Sequence, residues 1–265
     1  NIIFTSGATE SNNLAILGYL AANPESSFHT YLSEHKSVLD IATRLEQNSK
    51  RVTYYNPSDT IPENTSGLAS IMLADNETGD IFDFSAYTLG KRKFTLHIDA
   101  TQALGRLSVD FSELNADLMS LSLHKAHGPK GVGVLVVRNG VTLSPLFGVQ
   151  GITGGKNEQR SGTLNVPGIV AAGETFRIAS LLQKDTSKYL DKLLDIFLGT
   201  LREKKVQFEI NSYLKSQLPG CCNLYLPEIL SSTLISRIQS QIFLSSSSAC
   251  SSGDPSATAL LQRYA

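Results

Sequence analysis

The chain has 265 residues, 41% of them hydrophobic, with 23 basic and 24 acidic side chains and a formal net charge of -1. That length accommodates two domains and a large core. The balanced charge, with no basic run, argues against a nucleic-acid surface, and no apolar stretch reaches the length of a membrane span. Three cysteines (an odd number, with no CxxC) and few histidines make a disulfide framework or a zinc site poor readings. A reducing, cytoplasmic setting fits better, with no metal expected. The opening NIIFTSGATE has neither a charged n-region nor an apolar h-region, so it is not read as a signal peptide. It begins in mid-strand fashion, as a fragment or trimmed chain would.

In chain order, IIFTS reads as a short strand, followed by a Gly-Ala-Thr turn and a helix over SNNLAILGYLAA. HKSVLDIATRLEQN spaces Val38, Ile41, Ala42 and Leu45 as one helix face. VTYY is β-rich, and NPSDTIPENTSG is turn chemistry. SIMLAD, FTLHIDA, DLMSLSL and VGVLVV read as short strands, apolar enough to be buried on both faces. Strands alternating with helices predict an α/β layered domain. After RSGTLNVP a long helical stretch begins at Gly168, followed by VQFEI, NLYL, a helix-like STLISRIQSQ and a strand-like IFLSS. Asp254 and Pro255 are a candidate helix start. This second region reads as a smaller α+β unit. The boundary is placed near residue 180, giving domains 1–180 and 181–265.

Three constellations carry chemistry. In TSGATESNN a strand runs through a small-residue turn into a helix, where free N–H groups favour a phosphate; the commoner reading of such a stretch alone is that Thr9 is a plain helix cap. In HIDATQALG, Asp99 ends an apolar strand, where a carboxylate caps the next turn or pairs with a cationic ring nitrogen of a cofactor, and Gln102 is spaced to point the same way. In SLHKAHGPKG, Lys125 is either a solvated loop lysine or an amine held neutral by desolvation and neighbouring charge, able to form a Schiff base. A phosphate turn, a ring-pairing Asp and a Ser-x-His-Lys element, each at a strand end, follow one another in the order that a pyridoxal phosphate site requires.

The stretches FTSGATESNNLAI, SEHKSVLD, ADNETG, HIDATQALGRL, DLMSLSLHKAHGPKGVGVLVVR, RSGTLNVPGIVAAGE and SSSSACSSGDPS are collinear from near the first residue to near the last. Together they resemble the NifS/IscS-type cysteine desulfurases of the class V aminotransferase family, pyridoxal phosphate fold type I. The resemblance implies a large α/β/α domain with a mainly parallel mixed sheet, plus part of a smaller α+β domain. It implies that Lys125 holds pyridoxal phosphate covalently, Asp99 pairs with the ring nitrogen and Gln102 bonds the ring hydroxyl. Ala8 (through its backbone), Thr9, Ser122 and His124 would hold the phosphate. Thr163 would reach the phosphate of a neighbouring subunit, so a homodimer is expected. His35 would stack on the ring and assist proton transfer, and Asn76 would lie beside it.

The same resemblance makes Cys250 the working thiol. It would take sulfur from L-cysteine as a persulfide and pass it to an iron–sulfur scaffold or a thiolation acceptor. The surrounding SSSSACSSG is small and polar, as a mobile loop would be. Cys221 and Cys222 read as structural, and His97 and His127 carry no strong functional claim. The chain departs from the family in lacking a YLDYSATT-like start and an SIRFS-like segment after the Cys loop. It also has Leu123 where the family commonly has Gly, a larger side chain that could crowd the phosphate. Rival readings are a cystine or selenocysteine lyase, a small aminotransferase, or a non-catalytic form serving dimerisation or partner binding.

Overall fold

The computed structural model describes residues 1–89, 92–146, 160–227 and 229–246. Strand β1 (Ile2–Thr5) leads through Ser6 and Gly7 into helix α1 (Ala8–Ala22). Then follow β2 (Phe28–Tyr31), α2 (Lys36–Gln47), β3 (Val52–Tyr55), β4 (Gly67–Met72) and the short α3 (Ser85–Leu89). β5 (Phe94–Asp99), β6 (Leu118–Ser122) and β7 (Gly133–Val137) complete a seven-stranded sheet in the order β1-β7-β6-β5-β4-β2-β3. The five strands from β6 to β3 run parallel, while β7 is antiparallel to both β6 and β1. The expected mainly parallel mixed sheet is therefore present, with helices on its faces.

Alternation along the strands decides which residues meet which helix. On one face Leu68, Leu118, Leu135 and Val137 pack under α1 and α2, against Leu14, Ile16, Val38 and Ile41. Burial of each such side chain contributes about 1.5–3 kcal/mol. On the other face Ala69, Ile71, Leu96, Ile98, Met119 and Leu121 pack with Tyr87 of α3 and Ala172 of the long helix α4 (Val166–Glu203). Asn165 caps α4 by accepting the Gly168 N–H at 3.2 Å. Helix α4 runs unbroken through residue 180. At the end of the sheet remote from the strand C-termini, Asp117 is held by Arg92 (2.8 Å) and Arg138 (3.0 Å).

β2 was not expected, because FHTY mixes polar and apolar residues, yet all four are buried. His29 Nε2 is bonded by Ser27 and Ser66, and Thr30 Oγ1 donates to the Ser70 carbonyl. VQFEI and NLYL shrink to two-residue strands, β8 (Glu209–Ile210) and β9 (Leu224–Tyr225), paired antiparallel. The helix over STLISRIQSQ is α5 (Ser231–Ile238). IFLSS is not a strand: no described strand pairs with residues 242–246, and Phe243 is 97% exposed. Asp254 and Pro255 lie outside the described residues. Among those described, no helix is long and apolar enough to cross a membrane, and no group of three or more His, Cys, Asp or Glu could hold a metal.

Candidate active site

The face under α1 changes character along the strands. Leu68 and Leu118 give way to Ser70, His97 and Ser120, and these to Asp99 and Ser122 at the strand ends. His97 is fully buried between two hydroxyls, with Nδ1 2.8 Å from Ser70 and Nε2 2.9 Å from Ser120. Burial pushes its pKa down to about 4, against the opposing pull of the Asp99 charge. This ring bridges β4 and β6 across β5 beneath the strand ends.

Asp99 stands two residues further along β5. One carboxylate oxygen accepts the Thr101 N–H at 3.0 Å and the other accepts Asn12 Nδ2 at 2.7 Å. Asp99 thus caps its own turn, the first of its two readings, while its other oxygen faces α1. Asn12, on the first turns of α1, is fully buried and also donates to Ser37 Oγ at 3.0 Å. Ser37 Oγ lies 2.8 Å from Nδ1 of His35, and the Ser37 N–H donates to the same nitrogen at 3.0 Å. His35 is the N-cap of α2. A path of hydrogen bonds therefore joins His35 to Asp99.

Glu34, next to His35, is buried, with Oε1 accepting the Met72 N–H at the end of β4. Its other oxygen has no partner among the described residues. Burial first, then the Asp99 charge, holds this carboxyl well above the usual carboxylate range. Nothing in the local sequence marks Asn12, Ser37 or Glu34 as site residues.

On the β6 side, Ser122 Oγ is 2.9 Å from Nδ1 of His124. The chain then makes a single 3-10 turn, Leu123–Ala126, closed by His127 in the left-handed region at φ 62°. His124 and Lys125 are exposed on this turn. Partial burial, Lys125 and Lys130 all lower the His124 pKa. Leu123 does not crowd the α1 terminus: it is fully buried in the core on the opposite face. The turn rests on α4, where a Cβ on Gly128 would come within 2.6 Å of Thr175 Oγ1.

No side chain caps α1, so the N–H groups of its first turn, from Ala8 and Thr9 on, lack a capping acceptor. That terminus lies beside Ser122, whose Oγ would be 3.9 Å from a Cβ on Gly7. Gly133 makes the approach possible: a Cβ there would sit 2.5 Å from the Gly7 carbonyl carbon. Asn76 is half-buried in the loop after β4, which Asp75 braces by accepting the Glu77 and Thr78 N–H groups at 2.6 and 2.9 Å. Asp80 ties this loop to the Ser212–Leu214 segment, and Gly79, at φ +80°, packs against Cys221. Gln102 is half-buried after Asp99, and Thr163 is exposed ahead of α4. Cys250 lies outside the described residues. The fold thus gathers Ala8, Thr9, Asp99, Ser122, His124 and Lys125 at one sheet edge, with His35 linked to them.

The class-V aminotransferase family model matches residues 1–263. The chain belongs to the class-V aminotransferase family. Among curated relatives, the cysteine desulfurase IscS of Rickettsia felis is 38% identical over 272 residues, 95% of this chain and 64% of that protein. Among solved structures, a NifS-like protein superposes with a TM-score of 0.81 at 31% identity, covering 90% of this chain and 68% of that one. A structure described as SspA in complex with cysteine gives a TM-score of 0.69 at 29% identity, covering 94% and 73%. The chain spans 64% to 70% of the length of the curated relatives it matches. The fold is that of pyridoxal phosphate fold type I.

Proposed function

We propose that this chain is the cofactor-binding part of a pyridoxal-phosphate-dependent cysteine desulfurase. The observation that carries the reading is the placement of Asp99 and Lys125 at the ends of neighbouring strands, β5 and β6, beside the uncapped N-terminus of α1. The residues present fit the cofactor. First-turn amides with no capping side chain, together with Ser122 and His124, offer donors to a phosphate. Asp99 offers a carboxylate to a ring nitrogen, and Gln102 an amide to the ring hydroxyl. Asn12 Oδ1 and Thr101 Oγ1 are buried here without partners among the described residues. The names of the relatives, and the cysteine complex of SspA, support L-cysteine as substrate.

Bound pyridoxal phosphate supplies an electron sink that acidifies the α-carbon of an amino acid. The chain supplies the rest. The Lys125 amine holds the cofactor and, when released by substrate, moves the α-proton. Asp99 keeps positive charge on the ring nitrogen. His35, half-buried at the head of α2, would stack on the ring and assist proton transfer, and Asn76, half-buried after β4, would lie beside it. The Cys250 thiolate attacks the substrate sulfur. A sulfur–sulfur bond forms, and the carbon–sulfur bond breaks with its electron pair left on carbon. That carbon takes a proton to become the methyl group of alanine.

The exposed apolar residues Val166, Val170, Leu181, Tyr189 and Ile196 along α4 support a homodimer in which Thr163 serves the partner's phosphate. Residues 1–180 form the cofactor domain and 181–265 part of the smaller one. A sulfur-accepting protein in the cytoplasm completes the reading. Replacing Cys250 by Ala tests it: the chain keeps its cofactor but forms no persulfide from L-cysteine. Sulfur release at the unaltered rate would refute the role of Cys250 and favour a lyase that needs no thiol.

A further inference from the structure

Asn12 is buried one helical turn past the phosphate-facing end of α1, and neither of its neighbours in the site lies near it in sequence. The Asp99 carboxylate can only accept, so the nitrogen of the Asn12 amide faces it, at 2.7 Å. The second N–H of that nitrogen goes to Ser37 Oγ at 3.0 Å. With its oxygen accepting from Asn12, the Ser37 hydroxyl proton is directed at His35 Nδ1, 2.8 Å away. The Ser37 N–H reaches the same ring nitrogen. His35 Nδ1 is thereby an acceptor, which places the ring proton on Nε2. The Ser37 backbone N–H, which can only donate, makes Nδ1 the acceptor, and the Ser37 hydroxyl then donates to that nitrogen while accepting from Asn12.

We propose that Asn12 and Ser37 are positioning residues that couple Asp99 to His35, so that the carboxylate that would pair with the ring nitrogen and the imidazole that would stack on the ring act as one unit. This deepens the cofactor-site reading, on which it rests in taking Asp99 and His35 as the groups flanking the ring. Asn12 fixes the rotamer of Asp99 and, through the Ser37 hydroxyl, the orientation of His35.

The test reads the His35 side-chain nitrogens by NMR in the chain labelled with nitrogen-15, without cofactor. Wild type gives His35 with the proton on Nε2. Asp99→Asn shifts the His35 Nδ1 signal, whereas in an Asn12→Ala background the same substitution leaves it in place. Equal shifts in both backgrounds, or none in either, would overturn the proposal. Ser37→Ala cuts the path at its other link and gives the same decoupling, should Asn12→Ala not fold. In the loaded chain, Asn12→Ala and Ser37→Ala each lower kcat by about tenfold to a hundredfold, as the loss of a hydrogen bond to a charged group does, with KM little changed. The double variant falls no further than the worse single one. Independent, additive losses would mean two separate structural roles. NMR coupling without turnover of L-cysteine would leave the coupling standing and defeat the desulfurase reading instead.

Discussion

Replacing Asp75 by Asn removes one buried charge while keeping the loop that carries Asn76. Asp75 is 2% exposed, and one of its oxygens accepts the N–H groups of Glu77 and Thr78. An amide oxygen accepts both equally well. Burial, opposed by those two bonds and reinforced by Glu77 and Asp80, raises the carboxyl pKa from 3.8 to about 6. The folded chain therefore keeps a proton that the unfolded chain has released, and stability falls as pH rises from 3.8 to 6. At about 1.4 kcal/mol per pH unit, the loss is about 3 kcal/mol, complete above that window. Asp75→Asn lacks this loss. Urea unfolding of both chains across pH 4 to 8 cancels every other titrating group in the difference. The variant gains on wild type as pH rises, by up to about 3 kcal/mol at pH 7.5, or roughly 6–12 °C in Tm. A difference that stays flat with pH would refute the assignment of a buried, proton-holding Asp75.

Gly133→Ala drives a methyl group into the Gly7 backbone, 2.5 Å from its carbonyl carbon. The chain loses about 1–3 kcal/mol by overpacking, and its affinity for pyridoxal phosphate falls because the α1 terminus is displaced. Thermal unfolding and cofactor titration measure the two effects, and unaltered affinity would separate Gly133 from the phosphate site. His97, fully buried with a pKa near 4, stays neutral in the folded chain while the unfolded chain takes up a proton from pH 6.5 downward. Wild type thus loses about 3 kcal/mol between pH 6.5 and 4 from this group, a loss that His97→Gln does not share. Parallel acid-unfolding curves for the two chains would contradict it.

The sheet was legible where strands are apolar on both faces, as in LMSLS of β6 and GVLVV of β7, and the order of motifs placed Asp99 and Lys125 at strand ends. β2 was hidden because its His29 and Thr30 are buried by partners that only the folded chain supplies: Ser27, Ser66 and Ser70. IFLSS has strand composition but no described strand beside it, and composition cannot supply one. Leu123 looked intrusive from its position before His124, yet the pleat turns it to the opposite face. Asn12, Ser37 and Glu34 escaped notice for a further reason. Asn12 reaches Ser37 across 25 residues and Asp99 across 87, and Glu34 reaches Met72 across 38. Such pairings follow from topology, not from any local pattern.

The absorption spectrum of the chain with added pyridoxal phosphate, recorded before and after L-cysteine, tests the central claim most directly. A visible band that depends on Lys125, disappears in Lys125→Ala and shifts on adding L-cysteine is the predicted result. The absence of any Lys125-dependent band at saturating cofactor would contradict the account and leave the fold without the site it was read to carry.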